Sequence, residues 1–170
     1  MKMTGTRSIA APRAEVWQAL NDPDVLKACI PGCQELTGSP EEGFEATVVQ
    51  KVGPVKATFK GSVSLSDVTE GESYTITGEG KGGAAGFAKG AADVKLVDAD
   101  GGTELSYDVE AKVGGKLAQL GSRLIDGFAK NMADKFFTNF QTALEGPAEE
   151  GATEGAIEEK KSGWLKRLVG

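Results

Sequence analysis

Along residues 33–113 apolar and polar side chains alternate. Phe44, Ala46 and Val48 are separated by Glu45 and Thr47, Val63 and Leu65 by Ser64, and Tyr74 and Ile76 by Thr75. Leu105, Tyr107, Val109, Ala111 and Val113 alternate with Ser106, Asp108, Glu110 and Lys112. A period of two with one apolar face predicts antiparallel strands covered on one side. Turn residues fall between the runs, at Glu41-Glu42-Gly43, Val52-Gly53-Pro54, Glu70-Gly71 and Asp98-Ala99-Asp100-Gly101-Gly102, and their chemistry closes hairpins. About six strands are expected here, after a first one over residues 3–9.

Two short helices precede this meander. Pro12 fits the first helical position, with Ala14-Glu15-Val16-Trp17-Gln18-Ala19-Leu20 in helical spacing behind it. Asp22-Pro23 offers an acidic cap before a proline, for a helix from Pro23 to Ala28 that Pro31-Gly32 ends. After Gly114-Gly115 the period lengthens. Leu120, Leu124, Phe128, Met132, Phe136, Phe140 and Leu144 recur every four residues within a helix from Lys116 to Leu144, widened by Leu117, Ile125 and Phe137. Each step turns about 400°, so the stripe drifts by about 40° per step and wraps around the helix. Flat contact needs only a narrow stripe; a wrapping one fits a helix embraced by a curved sheet. The expected architecture is α+β: a curved antiparallel sheet of about seven strands around a long C-terminal helix. The two short helices follow the first strand, and an internal apolar cavity lies between sheet and helix.

The chain's 170 residues, 39% of them hydrophobic, suffice for one domain and a tail. No apolar run is long enough to span a bilayer. Histidine is absent, which removes Ser-His-Asp and Cys-His nucleophiles and histidine metal sites. Cys29 and Cys33 alone cannot complete a tetrahedral zinc site. The first residues lack the apolar stretch of a secretory signal, which predicts a reducing cytoplasm and two reduced thiols packed at a helix-to-strand junction. The acidic residues sit at polar strand positions or in turns, and no pair stands out as an acid/base couple. Gly78-Glu79-Gly80-Lys81-Gly82-Gly83 matches G-x-G-x-x-G, but a dinucleotide site needs that motif to open a helix in a βαβ unit. Another strand-like run follows it, so a tight or bulged β-connection is expected instead. The net charge of −6 argues against nucleic acid as the main partner.

That charge is unevenly spread. Residues 146–159 carry five glutamates and no cation, and little to bury, so a disordered acidic linker is expected after Gly146-Pro147. Residues 160–170 carry Lys160, Lys161, Lys166 and Arg167 and no acid. Trp164, Leu165, Leu168 and Val169 share one helical face there. Cations, a Trp and a short apolar face are what a basic amphipathic, membrane-interacting segment needs. Docking into a groove on a partner and a frayed terminus are the other two readings. The Phe128, Met132, Phe136 and Phe140 stripe reads either as plain core or as core below and cavity wall above. Met adapts and aromatic faces stack, which suits a flat apolar ligand.

Several motifs carry a resemblance. They are Gly5-Thr6-Arg7, Ala11-Pro12-Arg13-Ala14-Glu15-Val16-Trp17, Asp22-Pro23, Leu26 and Ile30-Pro31-Gly32-Cys33 near the start, then Lys51-Val52-Gly53-Pro54-Val55-Lys56, Gly86-Phe87-Ala88-Lys89-Gly90 and Thr103-Glu104-Leu105-Ser106-Tyr107. Val113-Gly114-Gly115-Lys116-Leu117-Ala118-Gln119-Leu120-Gly121 and Met132-Ala133-Asp134-Lys135-Phe136-Phe137 continue it. In this order, over residues 3–145, the chain resembles the carbon monoxide dehydrogenase G-subunit family, of the helix-grip, START-like (SRPBCC) superfamily of hydrophobic-ligand binders. The resemblance implies a non-catalytic accessory that brings a molybdenum-containing carbon monoxide dehydrogenase, or a related hydroxylase, to the cytoplasmic membrane. It carries over no catalytic residue, metal or covalent cofactor.

The expectation is therefore a START-like domain over 1–145, the linker over 146–159 and the membrane segment over 160–170, in a cytoplasmic protein peripheral to the inner face of the cell membrane. Trp17, Leu26, Ile30, Phe59, Phe87, Leu124, Phe128, Met132 and Phe136 are the candidate ligand contacts. Lys160, Lys161, Trp164, Leu165, Lys166, Arg167, Leu168 and Val169 are the candidate membrane contacts. The partner must pass electrons to a membrane chain, which points to an isoprenoid quinone or similar lipid as ligand. A scaffold or assembly factor without a ligand is the alternative; a START-like hydrolase or cyclase is disfavoured by the missing histidine.

Overall fold

The alternation resolves into seven strands: β1 (Lys2–Ile9), β2 (Cys33–Ser39), β3 (Gly43–Val52), β4 (Val55–Thr69), β5 (Ser73–Lys81), β6 (Phe87–Ala99) and β7 (Gly102–Gly114). This computed structural model describes residues 1–145. The expected linker 146–159 and the segment 160–170, with its eight candidate membrane contacts, lie outside the described residues. The strands form one antiparallel sheet in the order β1-β7-β6-β5-β4-β3-β2. From β2 to β7 consecutive strands pair through hairpins, while β1 closes beside β7, Ile9 opposite Thr103 and Lys2 opposite Glu110.

Pairing sets one face inward. Phe44, Val63, Gly78, Gly90 and Ala111 form one cross-strand row, and Tyr74, Val94, Tyr107 and Gly5 another. The residues between them, Ser and Thr or charged, form the outer, solvated face. The G-x-G-x-x-G stretch is the expected β-connection: β5 runs to Lys81, and a short 3-10 turn at Gly83–Ala85 leads into β6.

Helix α1 (Arg13–Leu20) and helix α2 (Pro23–Cys29) link β1 to β2. Asp22 caps α2 as expected, accepting the Asp24 N–H at 2.9 Å, with Pro23 at its first turn. Pro12 stands at the cap position of α1, one residue before its expected place. The C-terminal helix is divided. A single turn, α3 (Lys116–Gln119), is followed by α4 (Ser122–Glu145). Gly121 between them has φ +90°, a left-handed conformation that ends a helix and that glycine adopts without strain. The four-residue apolar spacing continues through this break, which is why the sequence reads as one helix.

Hydrogen bonds from α4 tie it down at its C-terminal end. Gln141 Nε2 donates to the Ser8 carbonyl at 2.7 Å, Glu145 accepts the Ala10 N–H at 2.8 Å, and Asn139 Nδ2 donates to the Cys29 carbonyl at 3.0 Å. Beneath lies the larger core cluster, with Ile9, Val16, Leu96, Leu105 and Phe140 buried. A smaller cluster of Val52, Leu117 and Ile125 lies at the other end of the helix. No helix among the described residues is long and apolar enough to cross a membrane.

Candidate functional site

Between the two clusters the inner face of the sheet is built from small residues. Gly61 pairs with Gly80, Gly80 with Ala88, Gly78 with Gly90 and Gly90 with Ala111. All are half-buried, and a Cβ added at Gly80 would meet nothing within 4 Å. On the helix, Ala129 and Ala133 continue the row that begins at the buried Ile125 and ends at the buried Phe137, because residues four apart share a helix face. Small side chains thus face each other across the middle of the grip. The backbone of α4 leans chiefly on α1, α2, β1 and β3. The two clusters stand at the two ends of this face, and Gly and Ala predominate between them, beside Phe44 and Val63.

The candidate contacts distribute around this face unevenly. Trp17 and Phe136 pack against the larger cluster. The Trp17 ring meets Tyr74 edge-on at 5.1 Å; Phe136 stacks on Phe140 at 5.7 Å and meets Phe137 edge-on at 5.1 Å. Phe59 and Phe128 pack against the smaller cluster. Met132 is half-buried on α4 between Phe128 and Phe136, and Leu26 and Ile30 are half-buried along α2 and its C-cap. Leu124 is 39% exposed at the rim, over Gly53. Phe87 is a correction: it pairs with Lys81 and Gly114 on the outer face, its ring lying where a Gly114 side chain would be. It does not face the helix.

Two polar features went unread in the sequence. Arg7 occupies an inward position of β1, in an ion pair with Asp134 of α4, its guanidinium 5.1 Å from the centre of the Phe137 ring. Burial works against the Arg7 charge, but hydrogen bonds to Asp134 and Tyr107 outweigh it and its pKa is raised. Tyr107 stacks on Phe137 at 5.4 Å, and a side chain at Gly5 would collide with the Tyr107 hydroxyl. An arginine in the inward register of an alternating strand, two residues after a glycine that makes room for Tyr107, was the available signal. The second feature is Tyr74, 4% exposed. Burial alone pushes its phenol well above the ordinary range, and among the described residues its hydroxyl has no hydrogen-bond partner.

Neither thiol is arranged as a nucleophile. Cys29 is fully buried and burial raises its pKa to about 11; Cys33 is half-buried and burial raises it too. Among the described residues no group of three or more acidic or thiol side chains could hold a metal. Two open concavities, of about 690 and 880 Å³, lie on the outer face. Thr4, Thr6, Asp93 and Lys95 line one, and Glu45, Ser62, Glu79 and Lys89 the other. None of the nine candidate ligand contacts lines either.

Comparison with known proteins adds to this geometry. A family model described as the G subunit of carbon monoxide dehydrogenase (CoxG) matches residues 5–145. A conserved protein from Geobacillus kaustophilus shares the fold with a TM-score of 0.79 at 29% identity, over 85% of this chain and 95% of that one. An uncharacterised protein from Rhizobium leguminosarum (TM-score 0.68, 16% identity) matches over 85% of this chain and 94% of its own. A protein from Mycobacterium smegmatis (0.63, 19%) matches over 88% and 92%. No curated protein matches the chain.

Proposed function

The chain belongs to the carbon monoxide dehydrogenase G-subunit (CoxG) family, and from that premise we propose that it is a non-catalytic accessory of such a dehydrogenase that carries a lipid-like ligand. An isoprenoid quinone is the ligand that best fits this role, since carbon monoxide oxidation releases electrons that a membrane carrier must accept. The observation that carries the reading is the run of small residues, Gly61, Gly78, Gly80 and Gly90, on the inner face of the sheet between the two core clusters. A flat ring would lie against glycine backbone, which lets it approach closely. Phe128 and Met132 on α4 would cover it, and the Tyr74 hydroxyl would donate to a ring carbonyl. Residues 160–170 would hold the complex at an anionic membrane surface.

The test is extraction of the purified full chain and mass spectrometry of what is released, followed by titration with ubiquinone and menaquinone. A co-purifying quinone, or saturable uptake that Gly80→Phe abolishes, is the expected result. Repeated absence of quinone together with no uptake overturns ligand carriage. The packing of Trp17 and Phe136 within the larger cluster favours a second reading, a ligand-free scaffold for the dehydrogenase. The same titration separates the two. Vesicle flotation tests the tail: if removal of residues 160–170 leaves binding to anionic vesicles unchanged, it is not the anchor.

A further inference from the structure

Hairpins of a meander alternate between the two ends of a sheet, and here that alternation sorts charge. The turns β2–β3, β4–β5 and β6–β7 share one end and carry Glu41, Glu42, Glu70, Glu72 and Asp100. The turns β3–β4 and β5–β6 and the passage from β7 to α4 share the other. They carry Lys51, Lys56, Lys81, Lys116 and Arg123, all exposed. The acids nearest this basic end are Glu79, which pairs with Lys81 at 3.5 Å, and Asp126. A domain with more acids than bases therefore has a cationic pole.

The same pole carries exposed apolar side chains. Leu124 and Phe87 are each 39% exposed, Leu124 beside the β3–β4 turn at Gly53 and Phe87 over Gly114, two residues from Lys116. Directly beneath lies the smaller core cluster, in which only Val52, Leu117 and Ile125 are buried while Phe59, Leu120 and Phe128 are partly open. Apolar side chains standing among cations match a bilayer surface, where anionic headgroups meet the lysines and apolar groups enter the headgroup layer. We infer that this pole is a second membrane contact, on the folded domain itself, which docks end-on to an anionic lipid surface with the acidic pole turned away. The inference rests on the proposed function for its purpose. It sets the loosely packed end of the domain against the bilayer, where a lipid-like ligand would pass.

Flotation of the full chain with phosphatidylglycerol-containing vesicles tests it. The background is a chain with Lys160, Lys161, Lys166 and Arg167 changed to Gln, so that the tail contributes little. In that background Lys51→Glu, Lys56→Glu, Lys116→Glu and Arg123→Glu together should lower vesicle binding by about tenfold or more. Leu124→Ser with Phe87→Ser should lower it with the charges intact. All six positions are exposed, and circular dichroism checks the fold. Three outcomes overturn the inference. In the first, the reversal leaves binding unchanged. In the second, reversing Lys27, Lys95 and Lys135, which lie away from this pole, lowers binding as much, so that net charge alone is responsible. In the third, the pole reversal spares vesicles but weakens capture of the purified dehydrogenase, so that an acidic protein is the occupant. The vesicles contain no quinone, so failure of ligand carriage leaves this result untouched.

Discussion

Tyr74 is the side chain whose chemistry is least settled by its surroundings. A buried hydroxyl without a partner costs free energy, and removing it restores about 1 kcal/mol. Tyr74→Phe should therefore leave the empty domain as stable or slightly more so in urea unfolding, while weakening quinone uptake by about tenfold if the hydroxyl donates to the ligand. Cys29 gives a pH signature. Its thiol keeps its proton to about pH 11 in the fold, against 9.0 for an ordinary thiol. Between these values the unfolded chain loses a proton that the folded chain retains, so stability falls as pH rises. Unfolding free energies measured across that window should drop by on the order of 2 kcal/mol from this group. In Cys29→Ala the decline should be shallower; an equal slope would assign it elsewhere. Neither residue was legible as special in the sequence, where Tyr74 is one more apolar position in an alternating run.

The elements were largely legible, for a local reason. Seven strands, two short helices and a C-terminal helix follow from side-chain period and turn residues, which act within a few positions of the chain. The break at Gly121 was written in the chain too, as Leu120-Gly121-Ser122, but the four-residue apolar spacing running across it suggested continuity. At φ +90° a β-carbon is strained, so Gly121→Ala should cost about 1 kcal/mol or more, read as a lowered thermal midpoint. An unchanged midpoint would mean that α3 and α4 can merge. Phe87 shows where period fails. Along β6 the inward positions are Ala88, Gly90 and Ala92, and the outward ones include Phe87. Wherever the inner face is built from small residues, the apolar signal that marks a buried face disappears, and a lone Phe is read inward by mistake.

Across the molecule the two core clusters are unequal. The larger holds the C-terminal half of α4 against α1, α2 and four strands, and the smaller holds its N-terminal half with three buried side chains. Local opening costs less where fewer apolar groups are buried. Amide exchange should therefore be faster over residues 122–132 than over 136–145, and a bound ligand should slow the first segment more. Uniform protection along α4 would contradict this two-cluster account. The separation of acidic and basic turns to opposite poles belongs to the same scale, since it depends on which turns the meander brings together.

Residue period, capping residues and the missing histidine determined the element types, the one-sided sheet and the exclusion of histidine chemistry, because each depends on neighbours in the chain. Family membership was also written in the order of short motifs over residues 3–145. The fold alone decided that β1 lies beside β7, that Arg7 meets Asp134 across more than a hundred residues, that Phe87 faces outward and that glycines from β4, β5 and β6 lie side by side on the inner face. These are non-local pairings. Their register is set by how the whole sheet closes around α4, and no short stretch of sequence carries that information.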